Sequence, residues 1–188
     1  VKRGESIIVT DPKGEMYIET SQYMRDNGYD VKILNLVELS HSDAWASLLE
    51  INLSGEEQEG QAALFTEILI ENTTVNKGGT DYFTNAEKSL FKALTLYILN
   101  DNSRNDFQKS IGAVYELLSN TELDKLERIF DSLPSTHPAT APWQIFKKNP
   151  NTMGNSMSGL GVRLQILQSQ LVKNVMGYNE IDLIQAGK

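Results

Sequence analysis

The run Thr10-Asp11-Pro12-Lys13-Gly14-Glu15 brings carboxylates, an ammonium and a glycine together in one short turn. Each residue type has a use at an anion site. The proline pushes Asp11 to extended backbone, Lys13 supplies a positive charge, and Gly14 lets the chain approach a phosphate or bend sharply into a helix. The same residues also describe a strand-to-helix turn that binds nothing. Other chemistries are poorly supplied. The chain has no cysteine, so thiolate nucleophiles, zinc–thiolate sites and disulfides are excluded. His41 and His137 lie far apart without metal-ligand spacing, so no metal site is expected. Asn155-Ser-Met-Ser-Gly-Leu-Gly161 is rich in glycine and serine, yet no Gly-x-x-x-x-Gly-Lys-Ser/Thr loop occurs, and Ser156 and Ser158 have no histidine nearby in sequence. Asn52-Leu-Ser54 and Asn72-Thr-Thr74 fit the glycosylation triplet, which without a secretory signal reads as chance.

The elements that position the acidic turn follow from pattern. Ser6-Ile-Ile-Val9 suits a buried strand that delivers the turn to the carboxyl edge of a sheet, where open α/β sheets bind ligands. Residues 15–27 are helix formers closed by Gly28, and Val31-Lys-Ile-Leu-Asn-Leu36 reads as a second strand. Strand, helix, strand makes a right-handed βαβ unit. Two strands cannot make a stable sheet alone, and nothing later in the chain supplies the rest. The chain also opens on Val1 rather than Met, almost on a strand, and so reads as a piece excised from a longer protein.

After Trp45 the pattern turns helical. Glu56 to Asn72 predicts a helix with Ala63, Leu64, Ile68 and Leu69 on its inner side. Thr84-Asn-Ala-Glu87 has the form of a capping box ahead of Leu90, Phe91, Leu94, Tyr97 and Ile98. Phe107, Ile111, Val114 and Leu118 mark another helix, and Leu123, Leu126, Phe130 and Leu133 a further one closed by Pro134. A short helix is expected around Trp143 and Phe146, between Pro142 and Pro150. Leu160, Leu164, Leu167, Leu171 and Val175 predict a long amphipathic helix ending at Gly177, and Ile181-Asp-Leu-Ile184 leads into another element. The stripes read as core. The expected fold is mainly α: an all-helical bundle over residues 51–152, inserted between a partial βαβ strip at 1–50 and a return segment at 153–188.

Composition bounds the partners. The 188 residues are 40% hydrophobic and 22% charged, ordinary for a folded domain, and no run approaches a membrane span. The net charge of −8 divides as −4 over residues 1–50 (5 bases, 9 acids), −5 over 51–152 (9 and 14) and +1 over 153–188 (3 and 2). A phosphate-gripping surface carries the opposite sign, so the helical region is a poor DNA clamp and a better protein-binding surface, with Lys147-Lys148 a local exception.

Ser6-Ile-Ile-Val-Thr-Asp-Pro-Lys-Gly-Glu15, Gly28-Tyr-Asp-Val31, Asn35-Leu36 and Ser42-Asp43-x-Trp45 together resemble the conjugative type IV secretion coupling proteins, the TraG/TraD-like DNA-translocating ATPases. Asp81-Tyr-Phe-Thr-Asn-Ala-Glu87 with Leu90 through Tyr97 is similar to the start of their inserted all-alpha domain, and Asn155 to Lys188 to the segment returning from it. The resemblance covers about half the chain, in the family's order; residues 100–152 match only in being helical. Where the family has Trp-Asn-Pro, this chain has Trp45-Ala46-Ser47, which leaves that turn's conformation open.

The resemblance implies a membrane-anchored, hexameric RecA-like parent that couples ATP hydrolysis on magnesium to passage of single-stranded DNA. Its all-alpha domain would recognise relaxase, relaxosome proteins or secreted effectors on the cytoplasmic side. Asp11, Lys13 and Glu15 would lie at most beside the nucleotide, with the phosphate loop before Val1 and the acidic strand beyond Lys188. Phosphoryl transfer needs phosphate cradle, metal and oriented water together, so no catalytic residue, bound cofactor or ATPase activity is expected of this chain alone. The alternative reading is a free-standing α/β enzyme that uses Asp11 and Lys13 on a small phosphorylated or acidic substrate.

Overall fold

Gly14 sits at φ 73°, a left-handed conformation that suits glycine, and opens helix α1 (Glu15–Asp26). In this computed structural model the described residues are 4–52, 57–74, 81–148 and 150–186. Asp11 fixes the start of α1: its Oδ2 accepts from the Tyr17 backbone N–H at 2.9 Å, and its carbonyl accepts from Gly14 N–H at 3.2 Å. At the other end Gly28 N–H donates to Arg25 O and Tyr29 N–H to Met24 O, the paired bonds of a Schellman closure, with Gly28 at φ 83°. The helix expected over 15–27 is therefore present with the glycine where it was placed.

The two strands are not. Among the described residues there is no strand. Ile7, Ile8 and Val9 are exposed, and α1 itself buries no residue. The second segment bonds sideways instead: Ile33 N–H donates to Asp43 Oδ2 at 2.6 Å, Asp43 N–H returns to Ile33 O at 2.8 Å, and Asn35 N–H reaches Ser42 Oγ at 2.9 Å. A ladder needs neighbours on both sides and a packed face, and nearby polar side chains satisfy the backbone more easily when these are lacking.

The remaining chain is helical. Helices α2 (Ser47–Asn52), α3 (Gln58–Asn72), α4 (Asp81–Leu99), α5 (Ile111–Ser119) and α6 (Leu123–Asp131) are followed by α7 (Thr140–Lys147), α8 (Pro150–Arg163), α9 (Gln170–Val175) and α10 (Leu183–Ala186). Helix α4 is the axis. Its Leu90, Phe91, Ala93, Leu94, Leu96 and Ile98 are all fully buried, apolar nearly all round, as expected of a helix enclosed by others. Helices α3, α5, α7 and α8 surround it. At one end Trp143 stacks on Phe130, ring centroids 4.4 Å apart, with Phe146 tilted against it. Trp143 Nε1 donates to Asp131 Oδ1, and Lys147 Nζ lies 2.7 Å from Asp131 Oδ2.

Several local expectations shift. Helix α4 begins at Asp81, so Thr84 lies inside it and Glu87 does not close a capping box. Helix α3 turns Ala62, Thr66 and Ile70 inward and leaves Leu64 and Ile68 about half exposed, at 55% and 51%. Its apolar and polar residues are spread around the helix with no single apolar face, so spacing did not select the buried stripe. Phe107 belongs to a separate 3₁₀ turn, Asp106–Gln108, and is 71% exposed. Asn105 and Gln108 cap the start of that turn reciprocally, and Ser110 caps the start of α5 through the Ala113 N–H, so each of the two elements has its own polar N-cap. The long helix expected through Leu160–Val175 breaks into α8, a 3₁₀ turn at Gln165–Gln168, and α9. The glycine- and serine-rich Asn155-to-Gly161 lies within α8.

His137 is half-buried at the end of the bundle, where burial holds its pKa below the usual 6.5. Its Nδ1 accepts the Ala139 N–H at 3.2 Å, which requires an unprotonated nitrogen. A depressed folded pKa means that the unfolded chain takes up the proton first as pH falls. Stability is therefore expected to decline below about pH 6.5, and the His137 ring protons should titrate below that value in an NMR pH series. A midpoint at or above it would contradict the placement.

Candidate functional site

The described surface is organised by a seam at the base of the bundle. Residues 43–46 leave the N-terminal strip, and residues 175–181 come back beside them. Trp45 N–H donates to Val175 O at 2.7 Å, while Glu180 and Ile181 N–H both donate to Ala44 O, at 2.8 and 3.2 Å. Side chains complete it. Glu180 Oε2 accepts from Ala44 N–H at 2.8 Å, Asn179 Oδ1 accepts from Ala46 N–H at 2.6 Å, and Asn179 Nδ2 donates to Glu50 Oε1 at 3.2 Å. Ala44 and Ala46 are almost fully buried, which raises the cost of leaving their N–H groups unpaired. The helical body therefore departs and returns at one place.

The seam is linked to the strip carrying the acidic turn. Asp43, the first residue of the seam, holds Ile33 through its backbone N–H and its carboxylate. Arg25 at the end of α1 donates to Val31 O at 3.3 Å and to Tyr17 Oη at 3.2 Å. A continuous path of bonds thus joins α1, the 31–36 segment, Asp43 and the seam. Replacing Asn179 or Glu180 with alanine is expected to cost about 1–3 kcal/mol locally. Amide exchange at Ala46 or Ala44 should quicken by about tenfold or more, while Leu94 in the bundle axis keeps its rate. Equal acceleration at Leu94 would show that the seam is not a separate unit.

Asp11, Lys13 and Glu15 are brought to one turn, but their roles differ. Asp11 is half-buried and engaged in starting α1, whereas Lys13 and Glu15 are exposed. A groove lined by Leu118, Glu122, Gly154 and Gly161 and another lined by Leu39, Ala44, Asn174 and Tyr178 include none of the three. Nothing about their arrangement makes a nucleotide cradle by itself. Among the described residues no group of His, Cys, Asp and Glu side chains is placed to hold a metal ion, and no helix is long and apolar enough to cross a membrane.

One polar centre escaped the sequence reading. Arg163 on α8 pairs with Glu87 on α4, Nε to Oε2 at 2.7 Å, with both side chains largely buried. Arg163 Nη1 also donates to Thr74 Oγ1 at 3.0 Å and lies 3.4 Å from Ile70 O and Thr73 Oγ1 at the end of α3. A signal was available: Arg163 is the lone charged residue between Lys148 and Lys173, set within an apolar helical pattern. Asn179 and Glu180 carried no comparable mark, because polar residues after a helix-ending glycine are common everywhere.

The family model described as Type IV secretory system Conjugative DNA transfer covers residues 1–176. No curated protein and no solved structure matches the chain.

Proposed function

The chain belongs to the type IV secretory system conjugative DNA transfer family, and on that premise we propose that its helical body recognises the protein cargo of DNA transfer. The cargo would be a relaxase, a relaxosome protein or a secreted effector. The observation that carries this reading is the seam: residues 43–46 and 175–181 close on each other, the form of a module inserted into another domain and free to face outward. Charge supports a protein partner, since residues 51–152 hold 14 acids against 9 bases and repel phosphate overall.

The strip over residues 4–37 supports the RecA-like half of the proposal. Ile7, Ile8, Val9, Ile18, Leu36 and Val37 are exposed around a helix that buries nothing, which suits docking against further sheet of a motor domain. That motor would be membrane-anchored and hexameric, and would use ATP with magnesium to move single-stranded DNA. Asp11, Lys13 and Glu15 would face its nucleotide edge. The residues described here do not themselves fit a nucleotide, so no chemical step is assigned to them. The free-standing enzyme reading would have to draw on an Asp11 whose Oδ2 already accepts the Tyr17 N–H at the start of α1.

Titration calorimetry of the chain with the relaxase of its own transfer system tests the proposal. Saturable protein binding together with no heat from ATP or inorganic phosphate is the expected result. Phosphate or nucleotide binding without relaxase binding would favour the enzyme reading instead.

A further inference from the structure

Three glycines lie inside α8, and the interior of the protein requires only one of them. Gly159 faces the Glu87 carboxylate so closely that a Cβ would overlap it. Gly154 and Gly161 are different: a Cβ at either position meets nothing within 4 Å, and neither has a positive φ. Glycine is among the worst residues for a helix interior, and an alanine at 154 or 161 would favour the helix without a clash. Nothing inside the fold accounts for their small size. Both line a groove of about 390 Å³ between α8 and the α5–α6 corner, together with Ser158, Met157, Leu118, Leu123, Ser119 and Glu122.

The geometry points to this groove as the docking site for a basic amphipathic helix of a partner protein. The inference rests on the cargo-recognition reading and gives it a surface. Leu118, Leu123 and Met157 offer an apolar floor, while the bare backbone at 154 and 161 lets a second helix approach closely. Gly154 and Gly161 are seven residues apart, about two helical turns, which matches anchors at i, i+3 or i+4, and i+7 on the incoming helix.

The charge of the occupant follows from the rim. Glu122 is the one charged residue lining the groove, and Asp124 and Glu127 follow it on α6 beside Lys125 and Arg128, while Glu116 pairs with Lys173 and Asp131 with Lys147. Helix α8 adds only Arg163, which is committed to Glu87. Lysines or arginines flanking the apolar face of the visitor complement this rim. A second copy of the chain would bring like charge to like, and nucleic acid has the wrong sign. The groove also lies apart from the seam, whose residues it does not share.

The test uses the whole chain and a fluorescein-labelled 18-residue helical peptide with leucine on one face and lysine on the other. A twin with glutamate in place of lysine serves as its control. The Lys peptide is expected to bind by anisotropy and the Glu twin not to. The double variant Gly154→Ala/Gly161→Ala should lose about tenfold or more in affinity while its Tm stays equal or rises by a few degrees. Glu122→Gln, which keeps the size of this α6 N-cap residue, should weaken the Lys peptide and change Tm little. Equal binding by the two peptides, or unchanged affinity in the double variant, overturns the groove. So does sedimentation showing that the wild-type chain self-associates and the double variant does not. A relaxase that binds wild type and double variant alike also overturns the groove, while leaving cargo recognition itself in place.

Discussion

Replacing Arg163 with alanine is expected to destabilise the helical body by about 3–5 kcal/mol, a large share of what such a domain has. The Glu87 carboxylate would stay buried against α8 with its one strong partner gone, and the Ile70 carbonyl and Thr73 and Thr74 hydroxyls would lose a donor together. The contrast with Lys88 and Glu67, an ion pair on the open face of α3 and α4, is instructive: there water screens the charges, and alanine at Lys88 should cost less than about 1 kcal/mol. Urea unfolding checks both, with the midpoint falling at constant slope. Pairing Arg163→Met with Glu87→Leu should recover most of the loss, because the damage comes from the orphaned charge more than from the missing bond. A single Arg163→Ala variant as stable as wild type would remove Glu87 from the interior.

Trp143→Ala carries the second large effect, an expected loss of about 3–5 kcal/mol. The indole is fully buried, stacked on Phe130 and flanked by Phe146, so truncation leaves a cavity bounded by rings that cannot collapse onto each other. It also frees Asp131 from one of its donors, leaving Lys147. The Lys147 hydrogen bond is the main reason that the Asp131 carboxyl titrates below the usual range, with Trp143 Nε1 assisting. A carboxyl with a lowered folded pKa contributes stability above its unfolded pKa and loses it as pH falls through the folded one. In wild type the acid limb of the stability curve below about pH 4 should contain this loss; in Lys147→Met it should be smaller. Tm measured from pH 6 down to pH 2 for both proteins would read the difference.

How far the sequence could be read depended on what each element leaned on. Helix α1 is governed by local chemistry, Asp11 and Gly14 at one end and Gly28 at the other, and it appears where those residues place it. Helix α6 is governed by one strong stripe, and Leu126 and Phe130 are buried as expected. Helix α3 spreads apolar and polar residues around its whole circumference, so only its neighbours could choose between Ala62–Ile70 and Leu64–Ile68. The strands failed for the opposite reason. Ile7, Ile8 and Val9 have strand character, but pairing belongs to a sheet rather than to a segment, and the described residues supply none. The seam was the least legible part. It joins residues more than 125 positions apart, partly through backbone groups, which leave no trace in residue type, and partly through Asn179 and Glu180, which look like ordinary loop residues. Asp11, Lys13 and Glu15 share one turn by sequence alone, and the helix-starting role of Asp11 could be seen only once Tyr17 N–H was placed.

The account stands or falls on where cargo touches the chain. Hydrogen–deuterium exchange of the chain, alone and saturated with the relaxase of its own transfer system, reads that contact amide by amide. Slowed exchange is expected within residues 111–163 of the helical body, with residues 6–37 unchanged. Protection confined to residues 6–37, with the helical body exchanging as before, would contradict the assignment of cargo recognition to the helices.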